Sequence, residues 1–407
     1  MDSSVVQLCK EIVLQGAKHP SPKYDPEYHN KFDMPAWGSP SPRIEAAQGI
    51  GHFIWNWGLD PDITSSFVTL SLDRVPAVRY QVATFLPAFY KHRALDHFWT
   101  LVTGMLSHET TSGVDLALFG ALGRVAGQEP KRVIDVISSV LDRGLPTTER
   151  HELSHQLLVV VAGLYIAQGQ AKANEILLRF EGAPVTFHRE VMEEVLVATV
   201  YIAPPGGSDP DTRARARELW KRILLAVYQH LNGVIESTPS EERAKAFREL
   251  LSIQDEVATR VHFALESNRT EAVENTAEIE RQALYFELKP ILELLTTRTD
   301  VPGPHHLAPH TAHYLMQTMN SVLRFDPPAI IGYSAAICKA ASSMSYQYDS
   351  LAVAEMVKLV ERVLADYKDV LRDRDVANAL GTILDIFVRA GWPQALQLTF
   401  SLDRAVR

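Results

Sequence analysis

Asp73-Arg74-Val75-Pro76-Ala77-Val78-Arg79, continuing through Gln81-Val82-Ala83 to Leu86, reads as a turn feeding directly into a helix. Pro76 suits a first helical turn, where its missing N–H costs nothing. Working outward, Arg79 lies 36 residues after Arg43, and Asp115 and His151 follow at the same 36-residue interval. Each of these four positions follows a turn-forming stretch: Ser39-Pro40-Ser41-Pro42, Asp73 to Pro76, Thr111-Ser112-Gly113, and Pro146-Thr147-Thr148. Seven residues beyond each comes an apolar side chain: Ile50, Leu86, Leu122 and Leu158. A fixed period of this size predicts stacked helical hairpins, each unable to bury its apolar face alone.

Composition sets the bounds. The chain has 407 residues, 40 basic and 49 acidic, for a formal net charge of −9. That length suits two or three ordinary domains or one elongated array. Hydrophobic residues make up 46%, enough for a continuous core, so wholesale disorder is excluded. The mild acidity argues against a dedicated nucleic-acid binder, which carries a basic excess. Cys9 and Cys338 are the only cysteines and lie far apart. They form no metal-like pair and read as small hydrophobes in a reducing compartment. The longest apolar run, Leu157 to Ala167, is interrupted by Gly163 and is too short for a membrane span. The N-terminus has no basic region followed by an apolar core and a cleavage site. A cytoplasmic protein is therefore expected.

Along the chain, residues 3–17 form an amphipathic pattern ended by Gly16 and His19-Pro20. Residues 19–42 are proline-rich and read as an extended surface segment, pinned by Tyr28, Phe32 and Trp37. From Pro42 onward nearly everything reads as helix, and alternating strand patterns are nearly absent. Ala203-Pro204-Pro205-Gly206-Gly207-Ser208-Asp209-Pro210 is the clearest break. Beyond it the 36-residue interval is lost and longer amphipathic helices are predicted over 211–236, 239–266 and 349–371. Thr238-Pro239-Ser240-Glu241 reads as a capping box with Thr238 as cap. The expected organisation is all-α: an N-terminal helix and extended segment (1–41), repeats (42–204), and a C-terminal domain of paired helices (211–407).

Asp73, Val78, Arg79, Ala83 and Leu86 together resemble the HEAT repeat, in which a turn Asp and an early Arg of the second helix recur at this spacing. Such an Asp accepts from turn and helix-start amides, and stacked Arg and Asp side chains form a ladder between repeats. The resemblance implies a right-handed α-solenoid of HEAT-like hairpins. The third and fourth units depart from it, with Asp115 and His151 in place of the Arg. A wider resemblance rests on Pro42-Arg43-Ile44-Glu45-Ala46-Ala47, Asp73 to Arg79, Gly163-Leu164-Tyr165, Tyr346 to Ala352, and Asp385 to Pro393. These segments are similar to the helical-repeat C-terminal region of large bacterial signal-transducing (NACHT/STAND-like) ATP-binding proteins. That likeness implies a non-catalytic sensing or docking tail in an NTPase-type system, such as anti-phage defence, with a protein or an upstream NTPase module as partner. No phosphate-binding loop of the G-x-x-x-x-G-K-[ST] or G-x-G-x-x-G type is present, and Gly120 and Gly123 fit neither.

His151-Glu152-Leu153-Ser154-His155 supplies the competing reading. On a helix this H-E-x-x-H sequence places two imidazoles on one face to bind zinc, with Glu152 as general base. Glu175, 20 residues after His155, resembles the third ligand of thermolysin-type metallopeptidases. The same segment is already explained as one more hairpin, since His151 falls in the register of Arg43 and Arg79 and His155 in that of Ala47 and Ala83. Glu149 and Arg150 add charges just before the motif, and no strands precede it to pair with an extended substrate. The expectation is therefore a scaffold without cofactor. Three lesser candidates remain. His305, His306, His310 and His313 could hold a metal or sense pH. Arg213, Arg215, Arg217, Lys221 and Arg222 could bind an anion or acidic partner at a helix start. Tyr333, Tyr346, Tyr348 and Trp392 could stack on bases, although core packing explains them more simply.

Overall fold

In the computed structural model, residues 3–29, 41–142, 151–182, 209–266, 274–298, 301 and 303–406 are described. All regular structure among them is helical. The chain divides into two compact units, residues 1–176 and 177–407. The division falls within a helix, earlier than the expected break at 203–210, which lies largely in 183–208, outside the described residues.

The first unit contains α1 (Ser3–Ala17), α2 (Pro26–His29), α3 (Pro42–Trp57), α4 (Pro61–Ser71), α5 (Pro76–Phe85), α6 (Pro87–Lys91), α7 (Leu95–His108), α8 (Ser112–Val125), α9 (Pro130–Asp142) and α10 (His151–Gln168). It also holds the start of α11 (Ala171–Glu181). Helices α1, α3, α5, α8 and α10 pack one on the next. Helices α4, α7 and α9 lie against them as hairpin partners. α1 packs on α3 and α4, so it belongs to this unit rather than to a separate N-terminal segment. The four apolar residues spaced at 36 are all core: Ile50, Leu86 and Leu122 are fully buried and Leu158 nearly so. Each large apolar side chain buried this way is worth roughly 1.5–3 kcal/mol, so apolar contact between successive helices is the main cohesive term.

Local chemistry starts the helices. Proline opens α3, α4, α5 and α6, where it offers no unsatisfied donor. Asp60 caps α4 by accepting from the amides of Asp62 and Ile63. Lys10 of α1 reaches both Asp60 and Asp62 at 2.8 Å, which ties α1 to the start of α4. Gly51 permits the close approach of α3 and α5. A Cβ there would lie 2.2 Å from Cγ of Phe85.

The second unit contains α12 (Pro210–Glu236), α13 (Glu241–Glu266), α14 (Glu274–Thr297), α15 (Pro309–Val322), α16 (Pro327–Ser342), α17 (Ser350–Asp366), α18 (Arg374–Arg389) and α19 (Pro393–Val406). Alternate helices pack in order: α12 on α14, α16 and α18 in turn, and α13 on α15, α17 and α19 in turn. Trp220, Tyr228, Tyr285, Tyr346 and Phe387 fill the core. Two details differ from the sequence expectations. Helix α13 starts at Glu241, so Ser240 rather than Thr238 caps it, its Oγ accepting from the Arg243 amide at 3.1 Å. The buried stripe of α17 runs through Val353, Met356, Val360 and Val363, while Val357 and Leu364 stay partly exposed. The buried face is set by what α15 and α19 cover, which a single-helix rhythm does not reveal.

Candidate functional site

Two Arg–carboxylate pairs with the same sequence spacing tie helix starts to turns in the first unit. The Arg43 guanidinium grips Asp73, with Nε donating to Oδ2 at 2.6 Å and Nη2 to Oδ1 at 3.2 Å. Its Nη1 and Nη2 also donate to the carbonyls of His19 and Pro22. One repeat on, Arg79 grips Glu109 in the same way, Nε to Oε2 at 2.7 Å and Nη2 to Oε1 at 2.6 Å. Both pairs span 30 residues, and Asp73 and Glu109 are 36 apart. Each is a two-pronged Arg–carboxylate pair, the strong and orientation-specific kind. Arg79 and Glu109 thus repeat the arrangement of Arg43 and Asp73 one unit along.

The acids also organise their own turns. Asp73 Oδ1 accepts from the Val75 amide at 2.8 Å, and Glu109 Oε1 accepts from the amides of Thr110 and Thr111 at 3.0 and 2.9 Å. Arg79 completes the lock. Nη1 donates to the carbonyls of Asp73 and Arg74, and Nη2 reaches Thr111 Oγ1 at 3.4 Å. All five guanidinium donors are thereby occupied. Burial pushes the Glu109 carboxyl up, but the Arg79 hydrogen bonds and charge, with the two amides, outweigh it and hold the group below its ordinary range.

The third unit breaks the pattern. Asp115 stands where Arg43 and Arg79 stand. Burial raises its carboxyl to about 7; the neighbouring Glu109 charge adds to the rise and Arg79 opposes it. A carboxyl group in this position titrates near neutral pH rather than in the usual carboxylate range.

Around these pairs lies a cleft of about 310 Å³, formed by the turns at 71–76 and 105–111 and lined in part by Leu72, Asp73, Arg74, Arg79, His108 and Glu109. Of the sequence signature, Asp73 and Arg79 line this cleft. Val78 is fully buried beneath the turn. Glu109 was missed, although its place 36 residues after Asp73 was a signal that could have found it.

No protein-family model matches this chain, and no curated protein is significantly similar to it.

The remaining candidates are dispersed. α10 begins at His151, but the side chains of 151–156 lie outside the described residues, so the geometry of His151, Glu152 and His155 is not part of the description. Glu175 is exposed on α11. The four histidines of 305–313 do not converge. His305 faces the Tyr228 ring, and burial, with the Arg298 and His306 charges, lowers it to about 4. His306 meets Ser343 Oγ at 3.2 Å, and His310 Nδ1 lies 2.9 Å from Asp255. His313 packs near the Tyr314 ring. No group of three or more metal-capable side chains comes together among the described residues.

The basic helix start is largely occupied by carboxylates. Arg217 and Arg213 approach Glu287 at 2.7 and 3.4 Å, and Arg222 pairs with Glu181 at 2.7 Å. Arg215 donates to Thr212 Oγ1, and Lys221 lies on the same helix, partly exposed. The Asp209 side chain, accepting from the Thr212 amide, fills the helix N-terminus. Of the aromatic candidates, Tyr333 and Tyr346 are core. Trp392 donates from Nε1 to the Gln347 carbonyl at 2.8 Å, while Tyr348 remains exposed. Cys338 is buried, its thiol raised to about 12 by that burial, and Cys9 is a free, part-buried thiol. No described helix is long and apolar enough to cross a membrane.

Proposed function

We propose that this chain is a non-catalytic recognition scaffold, built as a HEAT-like α-solenoid of stacked hairpins followed by longer paired helices. The observation that carries the reading is the pair of equivalent rungs, Arg43 to Asp73 and Arg79 to Glu109, at the same 30-residue spacing. Their donors and acceptors hold turns and neighbouring helices in register. An arrangement in which the Arg79 donors are all taken up, and most of those of Arg43, in holding the fold suits shape-based recognition better than chemistry on a substrate. By its resemblance to the repeat tails of bacterial NTPase-type proteins, the chain would act as the docking or sensing part of such a cytoplasmic system, of the kind that serves anti-phage defence.

The test is reconstitution. A partner recovered with the tagged full chain, then purified separately, should re-form a stoichiometric complex with it. That complex should survive His151→Ala and Glu152→Gln. Peptide hydrolysis by the purified chain that requires zinc and disappears in His151→Ala would overturn the scaffold reading in favour of a metallopeptidase.

A further inference from the structure

We propose that the cleft between the turns at 71–76 and 105–111 is a docking site for a protein partner's acidic stretch flanked by large apolar residues. This rests on the scaffold reading and names the site and the chemistry it selects.

The sign of the cleft follows from which charges are already matched. Asp73 is neutralised by Arg43 and Glu109 by Arg79, with N···O separations of 2.6 Å in both pairs. The Arg79 guanidinium has no donor left for a ligand. The Arg74 side chain, by contrast, is exposed and has no ion-pair partner among the described residues. Exposed His108, at the C-terminal end of α7 on the opposite side, adds an imidazole without a side-chain partner among the described residues. The cleft wall is therefore a matched set of ion pairs, and its mouth carries a fixed positive charge. In a chain of net charge −9, this is a local reversal of sign that would favour an acidic visitor.

Apolar surface sits beside that charge. Leu72 is 68% exposed, and Tyr24, at 40% exposed, forms part of the lining. A cavity of about 310 Å³ holds one or two side chains. A free phosphate would find one unmatched guanidinium, that of Arg74, with the His108 imidazole and threonine hydroxyls beside it, because the Arg43 and Arg79 groups are committed. A phosphate would also gain nothing from Leu72. A carboxylate next to a Leu or Phe uses both features at once, with the apolar side chain as anchor and the charge setting orientation.

The experiment selects a displayed library of random decapeptides against the full chain and measures winners by fluorescence anisotropy. Asp or Glu adjacent to Leu, Phe or Trp should be enriched. Arg74→Glu should weaken those peptides about tenfold through charge reversal and improve Lys-substituted counterparts. Leu72→Asp should weaken both. Both changes are on exposed residues, and circular dichroism with an unchanged melting temperature verifies folding. Selection without acidic enrichment, or binding indifferent to both substitutions, overturns the site. So does equal competition by inorganic phosphate, which would mark a small-anion site. If a reconstituted partner complex forms but ignores both variants, the docking site falls while the scaffold reading stands. Zinc-dependent hydrolysis lost in His151→Ala would remove the scaffold reading itself.

Discussion

Arg79 on α5 and Asp115 on α8 lie 36 residues apart on helices that pack against each other, yet they carry opposite charges and have different surroundings. Arg79 has every donor matched and locks two turns together. Asp115 is a part-buried carboxyl beside the like charge of Glu109, and burial first, then that charge, raises it to about 7. The helices α5 and α8 stack in the same way despite this. Apolar burial at Leu86 and Leu122 therefore sets the stacking, while the polar rungs tune the stability and geometry of the turns. The second unit supports the same lesson. Its alternate helices also pack in order on a large aromatic and aliphatic core.

The largest effect should come from Arg79→Ala. Glu109, with a side chain only 2% exposed, would be left as a buried carboxylate without its cation, a loss of about 3–5 kcal/mol. Arg43→Ala should cost less, because Asp73 is 13% exposed and regains some water. Urea unfolding of both variants reads the difference; equal losses would show that the two rungs do not differ in burial.

Asp115→Asn should act in the opposite direction and depend on pH. Its folded-state pKa is raised from 3.8 to about 7, so the native state holds the proton more tightly than the unfolded chain. The carboxyl therefore costs nothing below its unfolded value. The cost grows as pH rises and is complete above the folded value. The variant should be near neutral in effect at about pH 4 and stabilising by roughly 2–4 kcal/mol at about pH 8. Glu109 behaves in the reverse sense. Its depressed pKa contributes stability above its ordinary 4.5 that is lost as pH falls through the folded value. A flat stability difference across this range for Asp115→Asn would contradict the burial assigned to that carboxyl.

Gly51→Ala tests the close approach of α3 and α5. The added methyl meets the Phe85 ring, and overpacking of this kind costs about 1–3 kcal/mol. Gly51→Ala combined with Phe85→Leu should recover part of the loss. The smallest effect should be Glu287→Gln in the second unit. Glu287 and Arg217 are 28% and 23% exposed, so melting should shift by no more than about 1 kcal/mol of stability.

Much of the first unit's packing was legible because its signal is local and periodic. The positions of Ile50, Leu86, Leu122 and Leu158, and the turn chemistry around Asp73, needed only neighbours and a fixed interval. Glu109 is less legible because the resemblance rests on an Asp in the turn, whereas here a Glu with a longer reach performs the same task. The pairing of Arg217 with Glu287 and of Arg222 with Glu181 spans 70 and 41 residues. No local pattern indicates such partners, so the basic run read as a free patch. Ser240 replaced Thr238 as cap because a start two residues later brings its Oγ to the Arg243 amide.

The most direct test is a double-mutant cycle on Arg79 and Glu109, using Arg79→Met and Glu109→Gln, read by equilibrium unfolding near neutral pH. A genuine buried rung predicts a coupling energy of about 2 kcal/mol or more, with the double variant less damaged than the two single losses added together. Simple additivity, with coupling below about 0.5 kcal/mol, would contradict the account, because the repeated Arg–carboxylate contacts would then be surface decoration rather than the register of the stack.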